Sequence, residues 1–126
     1  MLSPEEPFSI RSERAGALQR ITPIGELDLA TVPALQHAFE SAFSDGDVET
    51  IVVDLTKLAF IDSTGVRAML DMAAACEHAD RLRIVNGSAA VVRLFDLTGV
   101  RDHLPIIDSA SDPRAPLRNR PGPNRQ

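Results

Sequence analysis

Tryptophan and tyrosine are both missing from this 126-residue chain. Bases would have little to stack on, and the net charge of −5 does not suit a polyanion, so no nucleic-acid partner is expected. A single cysteine, Cys76, cannot form an internal disulfide, and a reducing cytoplasm is the natural setting. Cys76 falls on the apolar side of a helical stretch, where packing is its expected role. Apolar runs stay well short of the roughly 20 residues that span a bilayer, so no membrane is expected. The start of the chain, Met1 to Glu6, is acidic and lacks the basic-then-apolar pattern of a secretory leader. There are three histidines, His37, His78 and His103, and no Cys/His cluster has metal-ligand spacing, so no metal is expected. His37 and His78 sit among polar or acidic neighbours in helical stretches and read as surface residues. The phosphate-cradling G-x-x-x-x-G-K-S/T loop is absent, so the chain is not expected to bind ATP itself; no cofactor is expected.

What is present is an ordinary globular composition, 44% hydrophobic and 25% charged, in a chain long enough for one domain with one core. Phe8 to Glu13 alternates loosely and suits a first, edge strand. Arg14-Ala15-Gly16 suits a hairpin turn, and Ala17 to Ile24 the returning strand. Pro23 removes a ladder donor and is expected near a strand end or edge. Gly25-Glu26-Leu27-Asp28-Leu29 follows. Thr31 and Pro33 signal a helix start, and Leu35, Ala38, Phe39, Ala42 and Phe43 give that helix one apolar face up to about Ser44.

Ile51 to Leu55 is β-branched and nearly uninterrupted, as in a strand covered on both faces. Val66, Met69, Leu70, Ala73 and Cys76 then recur at helical spacing. Leu82 to Val85 is a short apolar strand. Ser88 caps a helix carrying Val91, Val92, Leu94, Phe95 and Thr98, and Gly99 is its left-handed stop. Leu104 to Ile107 suits a last short strand. Strands alternating with helices from Gly25 onward imply right-handed crossovers. The expected fold class is α/β: a mixed, mainly parallel sheet with packed helices and an N-terminal edge hairpin.

From Asp108 the character changes. Residues 108–126 hold Pro113, Pro116, Pro121 and Pro123, four arginines, and one large aliphatic, Leu117. So little apolar surface does not offset the entropy of ordering, which predicts a domain over residues 1–107 and a flexible Pro/Arg-rich tail over residues 108–126.

Chemistry concentrates in Phe60-Ile61-Asp62-Ser63-Thr64-Gly65, between the β-branched strand and the helix after it. Three capping-type residues in a row mark a helix start, and the plain reading is an N-cap. A hydroxyl there also lies at the positive end of the helix dipole, where free backbone N–H groups accommodate an anion. Ser63 is thus a candidate accessible hydroxyl, and Gly65 leaves room for another backbone or for the turn into the helix. A hydrolytic serine would need a base and an oxyanion hole. The elbow G-x-S-x-G is missing, because Ile61 stands at its first glycine, so no catalytic residue is assigned and an enzyme is not expected.

Gly25-Glu26-Leu27-Asp28, with Val53-Asp54-Leu55 and Ile61-Asp62-Ser63-Thr64-Gly65, resembles the paired motifs of the STAS family, in particular its bacterial anti-sigma factor antagonists. The resemblance spans residues 7–107. It implies that Ser63 is phosphorylated by a kinase-type anti-sigma factor. The unphosphorylated form would bind that kinase and free a sigma factor, and a phosphatase acting on phosphorylated Ser63 would reset the switch. Asp28, Asp62, Thr64, Gly65 and Arg67 are the partner-binding candidates it implies. Asp28 is either a turn residue or a helper near Ser63; Asp62 either caps the helix or orients the Ser63 hydroxyl. Asp54 is either structural or a kinase contact. Two departures stand out: Thr64, where many members have a second serine, and Arg67, where a small residue is usual. The alternative is a scaffold or accessory STAS subunit of a stress-signalling or lipid-transport complex.

Overall fold

The computed structural model describes residues 8–76 and 81–115. Within them the order is β1 (Ser9–Ala15), β2 (Leu18–Leu27), α1 (Val32–Phe43), β3 (Thr50–Asp54), β4 (Leu58–Ile61), α2 (Ser63–Cys76), β5 (Leu82–Val85), α3 (Ala89–Thr98), a 3₁₀ turn (Arg101–His103) and β6 (Ile106–Ile107). The sheet runs β1-β2-β3-β5-β6, with β4 beside β2. β1 is antiparallel to β2 and every other pairing is parallel. The α/β class, the edge hairpin and the mainly parallel sheet are as the sequence indicates. His78 lies outside the described residues.

Local chemistry accounts for the joints. Gly16 takes φ 61° in the β1–β2 turn, and Gly99 takes φ 72° at the end of α3, both conformations that cost a side chain energy. Pro23 is not at a strand end; it is buried within β2. β2 pairs with β3 up to Ile21 and with β4 from Gly25, so Pro23 falls where β2 has no parallel neighbour. A missing donor there disrupts no parallel ladder. β4 was not anticipated. Leu58 and Ile61 point inward while Ala59 and Phe60 are exposed, a pattern too short to stand out beside the strong run before it.

The helices pack on one face of the sheet. Ile21, Ile51, Val53 and Ile84 meet Leu35 and Phe39 of α1, Met69 and Met72 of α2, and Val91 and Phe95 of α3 in one core. At the amino edge, Arg81 lies 4.7 Å over the Phe43 ring and donates to the Phe43 and Val48 carbonyls at 3.2 and 2.9 Å. It thereby satisfies the end of α1, where a cation is favoured.

The other face carries a smaller cluster, Leu18, Val52 and Val85, with Ile107 against it. Arg83 points the same way and is 4% exposed, and its Nη2 donates to the Ala115 carbonyl at 3.1 Å. Arg114 Nη2 donates to the Ala15 carbonyl at 3.2 Å. β6 and β1 are opposite edges of the sheet. The segment after β6 therefore lies against the face opposite α1, α2 and α3, and its Arg114 side chain reaches the end of β1. The expected tail begins at Asp108, yet its first part, up to Ala115, is tied to the body. Asp108 and Asp112 fold it into turns: Asp108 Oδ1 accepts from the Ala110 N–H and the Ser111 hydroxyl, Asp112 Oδ1 from the Arg114 N–H. These are polar anchors, invisible to a count of aliphatic residues. Residues 116–126 lie outside the described residues. Deletion from Asp108 onward removes a hydrogen bond to a buried guanidinium and is expected to cost about 1–3 kcal/mol. Calorimetry should show a clear fall in the thermal midpoint; an unchanged midpoint would mean the segment carries no stability.

Candidate functional site

Parallel strands end together, so the loops after β2, β3, β4 and β5 share the carboxyl edge of the sheet, where α/β proteins place their sites. The joint between β4 and α2 is held by one residue. The Asp62 N–H donates to the Leu27 carbonyl at 3.1 Å, fastening the start of α2 to the end of β2. The Asp62 carboxylate accepts the Gly65 N–H at 3.1 Å, and the Asp62 carbonyl accepts the Val66 N–H at 3.0 Å. Asp62 is thus the N-cap of α2, and of the two roles open to it the cap is the one seen.

Ser63 follows as the first residue of α2. It is exposed, and its hydroxyl makes no hydrogen bond among the described residues. Asp62 takes over the capping task, which leaves Ser63 Oγ turned to solvent beside the unsatisfied N–H groups of the first turn. Thr64 is half-buried, again with no side-chain hydrogen bond among the described residues. Arg67 stands one turn further on and is exposed. Its Nε donates to Asp71 Oδ1 at 3.4 Å, with side chains 76% and 61% exposed.

Gly65 faces inward. A Cβ there would lie 2.6 Å from Ile61 Cγ1 and 3.1 Å from Leu27 Cδ2. The room it leaves is filled by Ile61 and Leu27, so it serves the entry into the helix and not the approach of an outside backbone. Asp28 structures the β2–α1 turn. Its Oδ1 accepts the Ala30 and Thr31 N–H groups at 3.0 and 3.1 Å, and its own N–H donates to Thr31 Oγ1 at 2.9 Å. Thr31 Oγ1 in turn donates to the Glu26 carbonyl at 2.8 Å. This is the turn role anticipated for Asp28, on a loop that the Asp62–Leu27 bond brings to the Ser63 edge. Asp54 is structural: Oδ2 accepts from Arg20 Nη1 at 2.8 Å, and Oδ1 from the Thr56 N–H and hydroxyl at 2.9 and 2.6 Å.

Two residues of this edge escaped the sequence reading. Leu29, next to Asp28, is 76% exposed, and Phe60, two residues before Asp62, is 47% exposed. An apolar residue inside a motif reads as core, and β4 breaks strict alternation, with Ala59 and Phe60 both exposed between buried Leu58 and Ile61. His37 and His103 are exposed, and neither is bonded to Ser63. Cys76 is buried at the far end of α2, and burial pushes its thiol pKa up, away from a reactive thiolate. The groups grouped around Ser63 can present a hydroxyl and hold a helix start; they do not form a nucleophile–base pair.

The cap and the packing glycine give separate expectations. Asp62→Ala should destabilise by about 0.5–2 kcal/mol, the usual value of an N-cap. Ser63→Ala, no longer a cap deletion, should stay within about 0.5 kcal/mol. Gly65→Val should cost about 1–3 kcal/mol or more through overpacking against Ile61. Urea denaturation of the three variants checks the order; a Ser63→Ala loss equal to that of Asp62→Ala would reassign the cap.

Comparison with known proteins agrees with this geometry. The STAS domain family model matches residues 12–112. An anti-sigma-B factor antagonist of Staphylococcus aureus is 35% identical over 79 residues, 62% of this chain and 72% of that protein. The crystal structure of an anti-sigma factor antagonist from Mycobacterium paratuberculosis superposes with a TM-score of 0.76 at 23% identity, covering 86% of this chain and 92% of the other. The anti-sigma factor antagonist SpoIIAA of Bacillus, solved unphosphorylated and phosphorylated, gives TM-scores of 0.66 and 0.61 at 24% identity. Each covers 82% of this chain, with 90% and 93% of the respective SpoIIAA chain matched. With the family model matching residues 12–112, most of its length, the chain belongs to the STAS domain family.

Proposed function

We propose that this protein is an anti-sigma factor antagonist switched by phosphorylation of Ser63. Unphosphorylated, it binds a kinase-type anti-sigma factor and so releases a sigma factor. The kinase transfers the γ-phosphoryl group of ATP to Ser63 Oγ, ADP leaves, and the hydroxyl proton passes to a base on the kinase. A phosphatase hydrolyses the phosphoserine and restores the binding form. The observation that carries this reading is the exposed, unengaged Ser63 hydroxyl on the first turn of α2, with Asp62 supplying the cap in its place. The names of the relatives support the partner class, and a binding protein fits better than an enzyme. Among the described residues no helix is long and apolar enough to cross a membrane. A cytoplasmic setting suits the proposed partners.

The docking surface in this reading is the carboxyl edge around Ser63: the Asp28–Leu29 loop, Phe60, Thr64 and Arg67. Leu29 and Phe60 supply exposed apolar area that a partner would cover. Gly65 and Asp62 act through the helix they shape. A phosphoserine carries roughly −1.5 to −2 charge at neutral pH. The α2 dipole offsets about 0.3–1 kcal/mol of its local cost. An unpaired charge inside a docked interface costs about 2–5 kcal/mol. The interface effect is larger, so phosphorylation weakens binding by about ten- to a thousandfold while the fold persists.

Incubation with kinase-type anti-sigma factors of the same genome and ATP, followed by mass spectrometry and binding measurements, tests the proposal. Ser63→Ala should bind and resist labelling; Ser63→Asp should bind more weakly. Thr64→Ala should keep both properties. Phosphate mapped to Thr64 would move the site. No phosphate with any active kinase would favour the scaffold or accessory-subunit role.

A further inference from the structure

We infer that Arg67 is the internal counter-ion of a phosphate on Ser63, and that capturing it releases Asp71 as a second negative charge on α2. The inference rests on the Ser63 reading above and adds a residue-level mechanism to it. Ser63, Arg67 and Asp71 succeed one another at intervals of four on α2, and all three are exposed. Residues four apart on a helix are neighbours, about 5–6 Å between Cβ atoms, and an acid placed N-terminal to the base is the favourable order. Arg67 is therefore within reach of both ends of the stripe.

In the unmodified protein it is held at one end only. The Arg67–Asp71 contact is a single Nε–Oδ1 approach of 3.4 Å between two largely solvated side chains. Pairs of this kind hold weakly. A phosphate on Ser63 offers more charge and three acceptor oxygens, and a guanidinium meets it with two parallel N–H donors. Between these two partners the phosphate wins. Rival carboxylates near the helix start are already engaged: Asp62 with the Gly65 N–H, and Asp28 with the Ala30 and Thr31 N–H groups. Glu26 is exposed on β2, where it pairs with Phe60 in the strand register. Phosphorylation then changes the surface at two places, because Asp71, two turns below Ser63, loses its cation. The repulsive signal offered to a partner extends down the helix.

The test bypasses the kinase, so its failure is distinguishable from failure of the phosphorylation reading. Phosphoserine is incorporated at position 63 of the full chain by nonsense suppression, and its second pKa is followed by phosphorus NMR. The ordinary value is about 6. With Arg67 as counter-ion the dianion is favoured, and the parent should titrate lower than Arg67→Gln by a two- to fivefold change in proton affinity. Asp71→Asn removes the competitor and should lower the value further, an effect that must disappear in the Arg67→Gln, Asp71→Asn double variant. Amide spectra matching the parent establish that the variants are folded. Equal titration of parent and Arg67→Gln, or an Asp71→Asn effect that survives without Arg67, overturns the inference.

Discussion

The Asp62 cap is the interaction on which the functional edge depends. One residue fastens α2 to β2 through its N–H and closes the first turn through its carboxylate. The first joins residues far apart in sequence and the second is local, and both are hydrogen bonds of modest strength. Their effect is positional. They fix where the helix starts, and with about 3.6 residues per turn a start displaced by one residue would turn Ser63 about 100° around the axis. The exposed hydroxyl is a consequence of a cap placed one residue earlier.

Inside that joint the same economy applies. Gly65 is the third helical residue, and Ile61 and Leu27 occupy the space a side chain would need. β4 delivers Ile61 to the core, and the next two residues, Asp62 and Ser63, are half-buried and exposed in turn. The short strand gives way directly to the helical period, so inward and outward residues are neighbours in sequence. Asp62, Ser63 and Thr64 differ little as residue types and very little in position, yet they divide capping, presentation and partial burial among themselves.

That division explains what could be read from the sequence. The Ile51 to Leu55 run, the apolar faces of α1, α2 and α3, and Gly99 all announce themselves, because periodicity and left-handed glycine follow from chain geometry alone. Motif resemblance singles out Ser63 as the candidate hydroxyl. Which of three adjacent polar residues capped the helix was open, because Asp and Ser have nearly equal N-cap preference. Gly65 was legible as a residue leaving room and illegible as to who uses the room, which depends on Leu27, far away in sequence. The C-terminal segment misled for a related reason. Composition weighs apolar area, whereas Asp108, Asp112, Arg83 and Arg114 hold that segment through backbone groups.

The proposed switch needs two states on one fold, and the layout supplies the reason both could exist. The groups that hold the joint, Asp62, Gly65, Ile61 and Leu27, face the strand ends and the core. The groups that present it, Ser63 and Arg67, face solvent. Charge added to Ser63 enters water at the positive end of a helix dipole, where it is mildly favourable by about 0.3–1 kcal/mol. It displaces no core contact, because Ser63 makes no hydrogen bond among the described residues. Had Ser63 been the cap, modification would have strained the bond that positions the helix, coupling the signal to unfolding. With the cap moved to Asp62, the cost of the added charge appears when a second surface closes over it and strips its water. In the proposed switch the energy of the signal is thereby expressed in binding and not in stability.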